Sequence, residues 1–276
     1  MKKLVVLSLF LLSYSWLSAF GQEEDLPLIA PASLIPSIYI GPTFGLELVS
    51  SNSHLITPNT PDICDCDIKG DGLGFYGGLS AEYLLGEDPR NSNMSLLFNA
   101  GYRTTPLTFE KEINNLVYLS EIIENADQLK EPVMYKQELN VGIVSGSALF
   151  IWYPLRNNGL VIEAGFDLGF FITKNITEVM TVSDDNESIK FRTNIDDVEQ
   201  VEDKKLVLYD DEIENAEPLR VGLVGGISYM FNTGSNLYII PSVRYNYSLG
   251  SVTSTDDLFI NSLQIGVSLR SSVLIF

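Results

Sequence analysis

The stretch LVIEAGFDLGFFIT, residues 160–173, decides the fold of this chain. Every second residue from Leu160 to Ile172 is apolar, and acidic or small residues such as Glu163 and Asp167 stand between them. Successive side chains of a β-strand point to opposite faces of the sheet, whereas an α-helix repeats every 3.6 residues. The alternation therefore predicts a strand with one apolar face and one face of small and charged side chains.

Seven further segments show the same alternation. They lie at residues 38–48, 72–85, 94–103, 136–153, 219–231, 237–249 and 263–270. A tilted strand needs about 9–11 residues to cross a bilayer. The connections after the second, fourth and sixth segments are short and turn-like, whereas the others are longer and polar, a combination that is typical of transmembrane barrels. The sequence predicts an all-β fold, an eight-stranded antiparallel up-and-down barrel that crosses a membrane, with short turns at the periplasmic end and long extracellular loops.

The two faces of these segments predict the orientation of the barrel wall. Side chains just fill the interior of an eight-stranded barrel, so the face of small residues suits the lumen and the apolar face suits lipid. A water-soluble barrel of the lipocalin type would show the opposite polarity. A filled lumen also disfavours a general diffusion pore, for which barrels of about 16 strands are usual.

The lumen-facing positions carry five acidic and five basic side chains. We expect them to pair across the lumen, because buried charges are tolerated when they are partnered and hydrogen-bonded; a solvated polar lining without specific pairs is the alternative. In the segment at 136–153 this orientation turns Leu139, Leu149 and Tyr153 toward lipid. The predicted lumen network consists of Glu47, Glu82, Glu138, Glu163, Asp167, Arg103, Lys136, Arg220, Arg244 and Arg270.

The beginning of the chain predicts export. Lys2 and Lys3 precede an apolar run, Leu4–Leu12, and a small-residue exit follows at Ala19–Gly21. This is the layout of a secretory signal peptide cleaved before Gln22. A membrane helix is the alternative, but serines interrupt the apolar run and an acidic stretch follows it.

Three parts of the chain follow from this layout. We assign residues 1–21 to the signal peptide, residues 22–35 to a short periplasmic segment and residues 36–276 to the barrel domain. Beyond the signal peptide no run of about 18 apolar residues occurs, so the sequence offers no membrane-spanning helix.

Acidic residues dominate the charge of the chain. Lys and Arg total 17 against 36 Asp and Glu, a net charge of -19, which disfavours nucleic acid as a partner. Fourteen acids and four bases lie in the predicted loop at residues 175–217. We interpret this loop as a solvated surface hairpin that extends the strands on both sides of it; binding of divalent cations is the alternative, since clustered carboxylates suit hard cations.

Two other predicted loops carry local features. Residues 110–130 place apolar side chains at helical intervals, which predicts a short amphipathic helix over the barrel mouth, with a partner-binding helix as the alternative. Cys64 and Cys66 are the only cysteines, and we predict a strained local disulfide between them, although free thiols remain possible at this spacing. The nearby carboxylates do not match a calcium-loop spacing, and we predict no metal site there.

The sequence offers little chemistry for an enzyme. His54 is the single histidine and lies beside Ser51 and Ser53, a neighbourhood that is common in ordinary loops. The glycine-rich stretch at residues 70–74 has no following lysine or helix and does not match a phosphate-binding loop. We therefore predict a protein that is not an enzyme and uses no cofactor.

The chain resembles the outer-membrane β-barrel domain family, specifically the PorT-like group of the Bacteroidetes. The features that carry the resemblance are the signal peptide, the stretch GFYGGLSAEY at residues 74–83 and the terminal Phe276. This group is similar in architecture to OmpA, OmpX and OmpW. The resemblance implies a place in the cell outer membrane, contact with its lipid and lipopolysaccharide, and insertion by the outer-membrane assembly machinery with Phe276 as the recognised residue. The predicted role is surface interaction or envelope integrity, with a protein partner at the extracellular loops. A narrow channel or carrier for small solutes, or a component of a secretion or motility assembly, is the alternative.

Overall fold

The chain folds mainly into long antiparallel strands. The structure, a computed structural model, describes residues 38–54, 67–85, 92–113, 120, 122–129, 131–155, 159–183, 189–192, 200–213, 216–233, 237–253 and 258–273. A 3-10 turn occupies Ala126–Gln128. Numbered in chain order, the strands are β1 (Ile38–His54), β2 (Asp67–Leu84), β3 (Met94–Ile113), β4 (Ile123–Glu124), β5 (Val133–Trp152), β6 (Leu160–Val182), β7 (Lys190–Phe191), β8 (Gln200–Val201), β9 (Lys205–Glu212), β10 (Leu219–Tyr229), β11 (Phe231–Asn232), β12 (Leu237–Ser248) and β13 (Phe259–Val273).

Eight of these strands form a closed ring. They pair in the order β1, β2, β3, β5, β6, β10, β12 and β13, each antiparallel to the next, and β13 pairs back with β1. The predicted eight-stranded antiparallel barrel is thus confirmed. Ring closure pairs the backbone groups of both edges, which matters in hydrocarbon because no water is present to bind them. Among the described residues, none lies in a helix long and apolar enough to cross a bilayer.

A belt of solvent-accessible apolar side chains surrounds the ring. Phe166 is 61% exposed and Leu79 is 63% exposed, values that large apolar side chains do not reach in a core. An apolar surface of this extent around a closed ring of strands is typical of a barrel surrounded by lipid. We call this surface the apolar belt, and its members include Ile40, Phe44, Leu46, Leu48, Leu73, Phe75, Leu79, Tyr83, Phe98, Phe150, Trp152, Phe166, Leu168, Phe170, Ile172, Ile227, Tyr245, Tyr247 and Ile265.

Three ring strands continue past the belt. Residues 104–113 of β3, 133–142 of β5 and 173–182 of β6 form a sheet that β9 and β8 extend, and we call it the outer sheet. Ten residues of strand span about 33 Å along the strand axis. Its β6–β9 pairing is the hairpin extension that the acidic loop predicted.

The inner face of the outer sheet is apolar and has two cores. The first fills the outer end of the lumen, and the second lies farther out, where β4 and β7 pair with each other over it. The first core consists of Val49, Leu107, Phe109, Leu139, Val141, Ile143, Phe171, Ile176, Ile213, Val252, Leu258 and Ile260. The second consists of Ile113, Ile122, Ile123, Ala126, Val133, Tyr135, Met180, Val182, Ile189, Phe191 and Leu206.

The predicted amphipathic helix at residues 110–130 is partly confirmed: Ser120 and Ile122 are helical, whereas most of the other described residues of this range are not. Glu110–Ile113 continue β3, Ile123 and Glu124 form β4, and Ala126–Gln128 make a turn of 3-10 helix. The apolar residues were recognised correctly as a packing surface, since Ile113 and Ile123 are buried in the second core. Pairing of Ile123 with Phe191, a residue distant in sequence, favours strand over helix here.

A bulge in β6 changes which residues of the strand point inward. Gly142 pairs with Thr173 and Ile143 pairs with Phe171, so Ile172 has no partner on β5. An extra residue reverses the side-chain alternation beyond it. Before the bulge the apolar face of β6 meets lipid; beyond it, Ile176 and the apolar residues that follow turn inward to the two cores.

Candidate functional site

Eight of the ten predicted lumen charges lie inside the barrel. They come from seven of the eight ring strands, because each stands at an inward position of the alternation. None of the eight residues is more than 4% exposed. They are Glu47, Glu82, Arg103, Glu163, Asp167, Arg220, Arg244 and Arg270.

Four of these charges form the upper layer of the lumen, just below the first apolar core. Asp167 joins two arginines: its Oδ2 accepts hydrogen bonds from Arg103 Nη2 at 2.6 Å and from Arg220 Nη1 at 3.1 Å. Glu47 lies 3.9 Å from Arg103, measured between Oε1 and Nη1, and it accepts a hydrogen bond from Gln264. Two carboxylates therefore face two guanidinium groups.

Arg220 also fastens the upper layer to the barrel wall at β12 and β13. Its Nη2 donates to the Asn246 side chain at 3.2 Å and to the Ile260 carbonyl at 2.9 Å. These bonds reach β12 and β13 from β10, so the side chain extends over neighbouring strands.

Two more ion pairs lie nearer the periplasmic end. Arg244 Nε donates to Glu163 Oε2 at 2.5 Å, and the Ser228 hydroxyl donates to the same carboxylate at 2.6 Å. Arg270 donates to Glu82 at 2.5 Å, and Glu82 also accepts from the hydroxyls of Ser95 and of Tyr153. Each of these two carboxylates, Glu163 and Glu82, therefore has a guanidinium partner and at least one further donor.

The charges of the lumen balance. Four carboxylates stand against four guanidinium groups, all nearly excluded from water. Transfer of an ion into such an interior costs several kcal/mol, and good geometry with a counter-ion offsets this cost. The pairs therefore suit a structural role, in which removal of a single member leaves an uncompensated buried charge.

A small cavity lies among the described residues of the lumen. This cavity of about 50 Å³ lies beside Arg103, Asp167, Arg244, Asn246 and Gln264. This volume accommodates a few water molecules, each of which needs at least about 10–15 Å³. It is too small for an organic solute.

Lys136 and Glu138 lie outside the lumen, contrary to the prediction. Their side chains are 39% and 43% exposed, and Lys136 Nζ lies 2.6 Å from Glu138 Oε1 and 4.0 Å from Glu110. The hydrogen bond to Glu138 raises the pKa of Lys136. They belong to the outward face of the outer sheet.

The predicted orientation of this strand was reversed. Leu139 and Leu149, which the alternation assigned to lipid, are 1% exposed inside the barrel, whereas Phe150 and Trp152 face lipid. Both faces of β5 carry apolar residues, so alternation alone did not identify the lipid side. Tyr153, also assigned to lipid, instead donates its hydroxyl to Glu82.

The hydrogen-bonding residues around the charges were only partly recognised from sequence. Ser95, Ser228, Asn246 and Gln264 share the inward alternation of the charged residues, and this shared position was the available signal. Their specific partners depend on contacts between strands far apart in sequence.

Several predicted features lie outside the described residues. These are the proposed disulfide of Cys64 and Cys66 and the proposed assembly signal Phe276. The backbone of His54 ends β1, but its side chain is not among those described. Within the described residues, no group of three or more His, Cys, Asp and Glu is arranged to hold a metal ion.

No protein-family model and no curated protein matches the chain. Solved structures with a similar backbone include the Neisserial surface protein A (NspA), at 14% identity, 86% coverage of this chain, 97% coverage of that chain and a TM-score of 0.35. The outer membrane protein OprG from Pseudomonas aeruginosa shows 11% identity, 88% and 100% coverage and a TM-score of 0.37. The outer membrane protein AlkL in DMPC bilayers shows 10% identity, 92% and 98% coverage and a TM-score of 0.39.

These likenesses are remote and carry no statement about function. The closed ring and the apolar belt of this chain make it a membrane-spanning β-barrel of the outer-membrane type. The predicted localisation, the outer membrane, fits this closed ring and its apolar belt.

Proposed function

We propose that this chain is a non-enzymatic outer-membrane barrel of the PorT-like group whose lumen is sealed and whose work is done at the cell surface, in surface interaction or envelope integrity. The observation that carries the proposal is the content of the lumen: joined ion pairs with an apolar core on their outer side. Outer-membrane lipid and lipopolysaccharide surround the belt, the assembly machinery inserts the chain, and a protein partner binds at the extracellular side. Neither a cofactor nor a metal is part of the proposal.

A sealed lumen follows from the energetics of its layers. A permeating ion would have to separate Asp167 from Arg103 and Arg220, and breaking a buried pair costs about 3–5 kcal/mol. It would then meet the first apolar core, which offers no polar group to replace its hydration shell. The two barriers in series support a structural lumen.

The outer sheet supports a role at the surface. A transmembrane ring needs only enough strand to cross the bilayer, yet this chain builds a second apolar core beyond the belt. The outward side of the outer sheet bears Glu110, Glu138, Asp210 and Glu212, which suit contact with water and with a polar partner. Long structured extracellular segments are a common place for binding functions.

Conductance in planar lipid bilayers tests the sealed lumen. The chain expressed from Gln22 is refolded into vesicles and fused with the bilayer, and a 16-stranded porin serves as the positive control. We expect no single-channel steps from protein whose insertion is verified by quenching of Trp152 with brominated lipids. Stable steps from verified protein would refute the sealed lumen and favour the channel alternative.

A pull-down from native membranes tests the surface role. The wild-type chain is compared with a variant in which Glu110, Glu138 and Asp210 are replaced by lysine, a change confined to the outward face of the outer sheet. We expect a partner that is captured by the wild type and lost from the variant. Equal capture by both would place the contact elsewhere, and a co-purified set of secretion or motility components would favour the assembly alternative.

A further inference from the structure

The ring closes where its first and last strands meet. We call the β1–β13 pairing the closing seam; it joins residues more than 200 positions apart, for example Gly45 and Gly266, which stand directly opposite each other. The other ring pairings join consecutive strands of the ring along the chain. The closing seam therefore forms without help from a connecting turn and carries the largest loop-closure entropy in the ring.

Backbone pairing is interrupted within the closing seam. The register is continuous from Ile40 opposite Ser271 to Thr43 opposite Ser268, but Gly41 and Pro42, which stand opposite Arg270 and Leu269, make no ladder pairing with β13. Proline has no N–H to donate to a ladder. On the other side of β13, Pro241 of β12 stands opposite Val267. Prolines thus flank β13 on both sides within the same part of the wall.

A tyrosine ring covers the seam just above this interruption. Tyr76 of β2 stands opposite Gly45, and its side chain crosses β1 on the lumen side to reach β13. A Cβ atom added to Gly45 would lie 2.8 Å from Tyr76 Cε1, and one added to Gly266 would lie 2.1 Å from the Tyr76 hydroxyl oxygen and 2.8 Å from Cζ. The ring therefore rests against two glycines that face each other across the seam, although backbone atoms also approach both positions.

An ion pair makes the same crossing at the interruption itself, because Arg270 stands opposite Gly41. Glu82 of β2 stands opposite Tyr39 of β1, and its carboxylate accepts a hydrogen bond from Arg270 of β13 at 2.5 Å. Between the two crossings, the Ser80 hydroxyl donates to the Gly41 carbonyl at 3.0 Å. Side chains of β2 thus contact both strands of the seam above the interruption and at the interruption itself.

We propose that Tyr76 and Glu82 form a closing device, in which β2 holds β13 against β1 where the backbone ladder is interrupted. The device acts across one intervening strand, so it can form only when β13 has arrived at β1. It stabilises the closed ring selectively, over and above the packing that any buried side chain provides. Loss of the Tyr76 ring consequently opens the seam before it loosens the remaining strand pairs.

Hydrogen–deuterium exchange in lipid nanodiscs tests this selectivity. We expect Tyr76→Ala to accelerate exchange of β13 amides by about tenfold relative to β5 amides, since one aromatic contact is worth up to about one factor of ten. Tyr76→Phe keeps the ring on the two glycines and should exchange like the wild type. Equal acceleration in β5 and β13 would overturn the proposal.

Phe109→Ala provides the matched control. Phe109 of β3 covers a glycine in the same manner, because a Cβ added to Gly70 would lie 2.5 Å from Phe109 Cε1, but this contact joins the neighbouring strands β2 and β3. Because Phe109 also belongs to the first core, which β1, β3, β5, β6 and β13 share, the substitution should lower overall stability and affect β5 at least as much as β13. A preference for β13 in both variants would show that β13 is merely the weakest strand.

A covalent seam gives a second, independent measurement. Ser50 and Asn261 stand opposite each other in the seam, and the double change Ser50→Cys and Asn261→Cys, made with Cys64 and Cys66 replaced by serine, permits a disulfide. Oxidation should restore wild-type exchange to Tyr76→Ala and leave Phe109→Ala unchanged. If Tyr76→Ala does not fold alone, its oxidised form should fold, and failure of that form would also overturn the proposal.

Discussion

Asp167 is the lumen residue whose removal should be most damaging. It accepts hydrogen bonds from Arg103 at 2.6 Å and from Arg220 at 3.1 Å and is 4% exposed. Asp167→Asn keeps the shape of the side chain but leaves two buried guanidinium groups with Glu47 as the one remaining carboxylate of their layer, 3.9 Å from Arg103. Breaking a buried pair in this way destabilises a protein by about 3–5 kcal/mol, and we expect the free energy of unfolding to fall by that amount.

Urea unfolding in lipid vesicles measures this effect. The chain contains two tryptophans, and a chain expressed from Gln22 retains Trp152 alone, so its fluorescence reports on one known position at the lipid surface. The double variant Asp167→Asn with Arg220→Gln restores neutrality to the layer. We expect it to be more stable than Asp167→Asn alone, with a coupling energy of about 1–3 kcal/mol between the two sites.

An exposed pair of the same length provides the control. Lys136 and Glu138 are also 2.6 Å apart, but they lie on the outward face of the outer sheet. Glu138→Gln should cost less than about 1 kcal/mol, because water solvates the remaining lysine. A loss of less than 1 kcal/mol for Asp167→Asn, or no recovery in the double variant, would refute the argument that buried charge balance stabilises the lumen.

Three further outcomes are expected. Burial raises the pKa of Glu178, to which Gln137 donates at 2.9 Å. The contribution of Glu178 to stability is therefore complete below the pKa of an unfolded glutamate, about 4.3, and is lost as the pH rises through the raised pKa. Glu178→Gln should flatten this pH dependence of the free energy of unfolding, measured in urea between pH 4 and 8, and an unchanged slope would contradict the expectation. Phe166→Arg in the apolar belt should lower the free energy of unfolding in vesicles by about 2–4 kcal/mol, whereas Thr177→Arg in the outer sheet should lower it by less than about 0.5 kcal/mol. Equal losses would show that Phe166 does not face lipid. Trp152, 44% exposed on the lipid side, should be quenched by brominated lipids and protected from aqueous acrylamide, and the reverse pattern would contradict its orientation.

Much of the barrel could be predicted because its wall separates two different surroundings. Where lipid lies on one side and a charged lumen on the other, as along the stretch from Leu160 to Ile172, alternation distinguishes the two faces by polarity. The eight strands, their antiparallel order and eight of the ten lumen charges follow from that contrast. Which carboxylate meets which arginine does not, since partners such as Glu82 and Arg270 are brought together by ring closure.

The sequence by itself determined that this chain builds strands with a lipid-facing side, because a two-residue period is a local property that each segment carries alone. Only the tertiary structure decided the orientation of β5, the sheet conformation of Glu110–Ile113 and the reversal of alternation at Ile172. In β5 and around the bulge of β6 both faces of a strand contact apolar material, lipid on one side and a core on the other, whereas the strand at Glu110–Ile113 depends on its pairing with β5. The hydrophobicity of the side chains then does not determine which face of the strand points outward. The register with the neighbouring strands determines it.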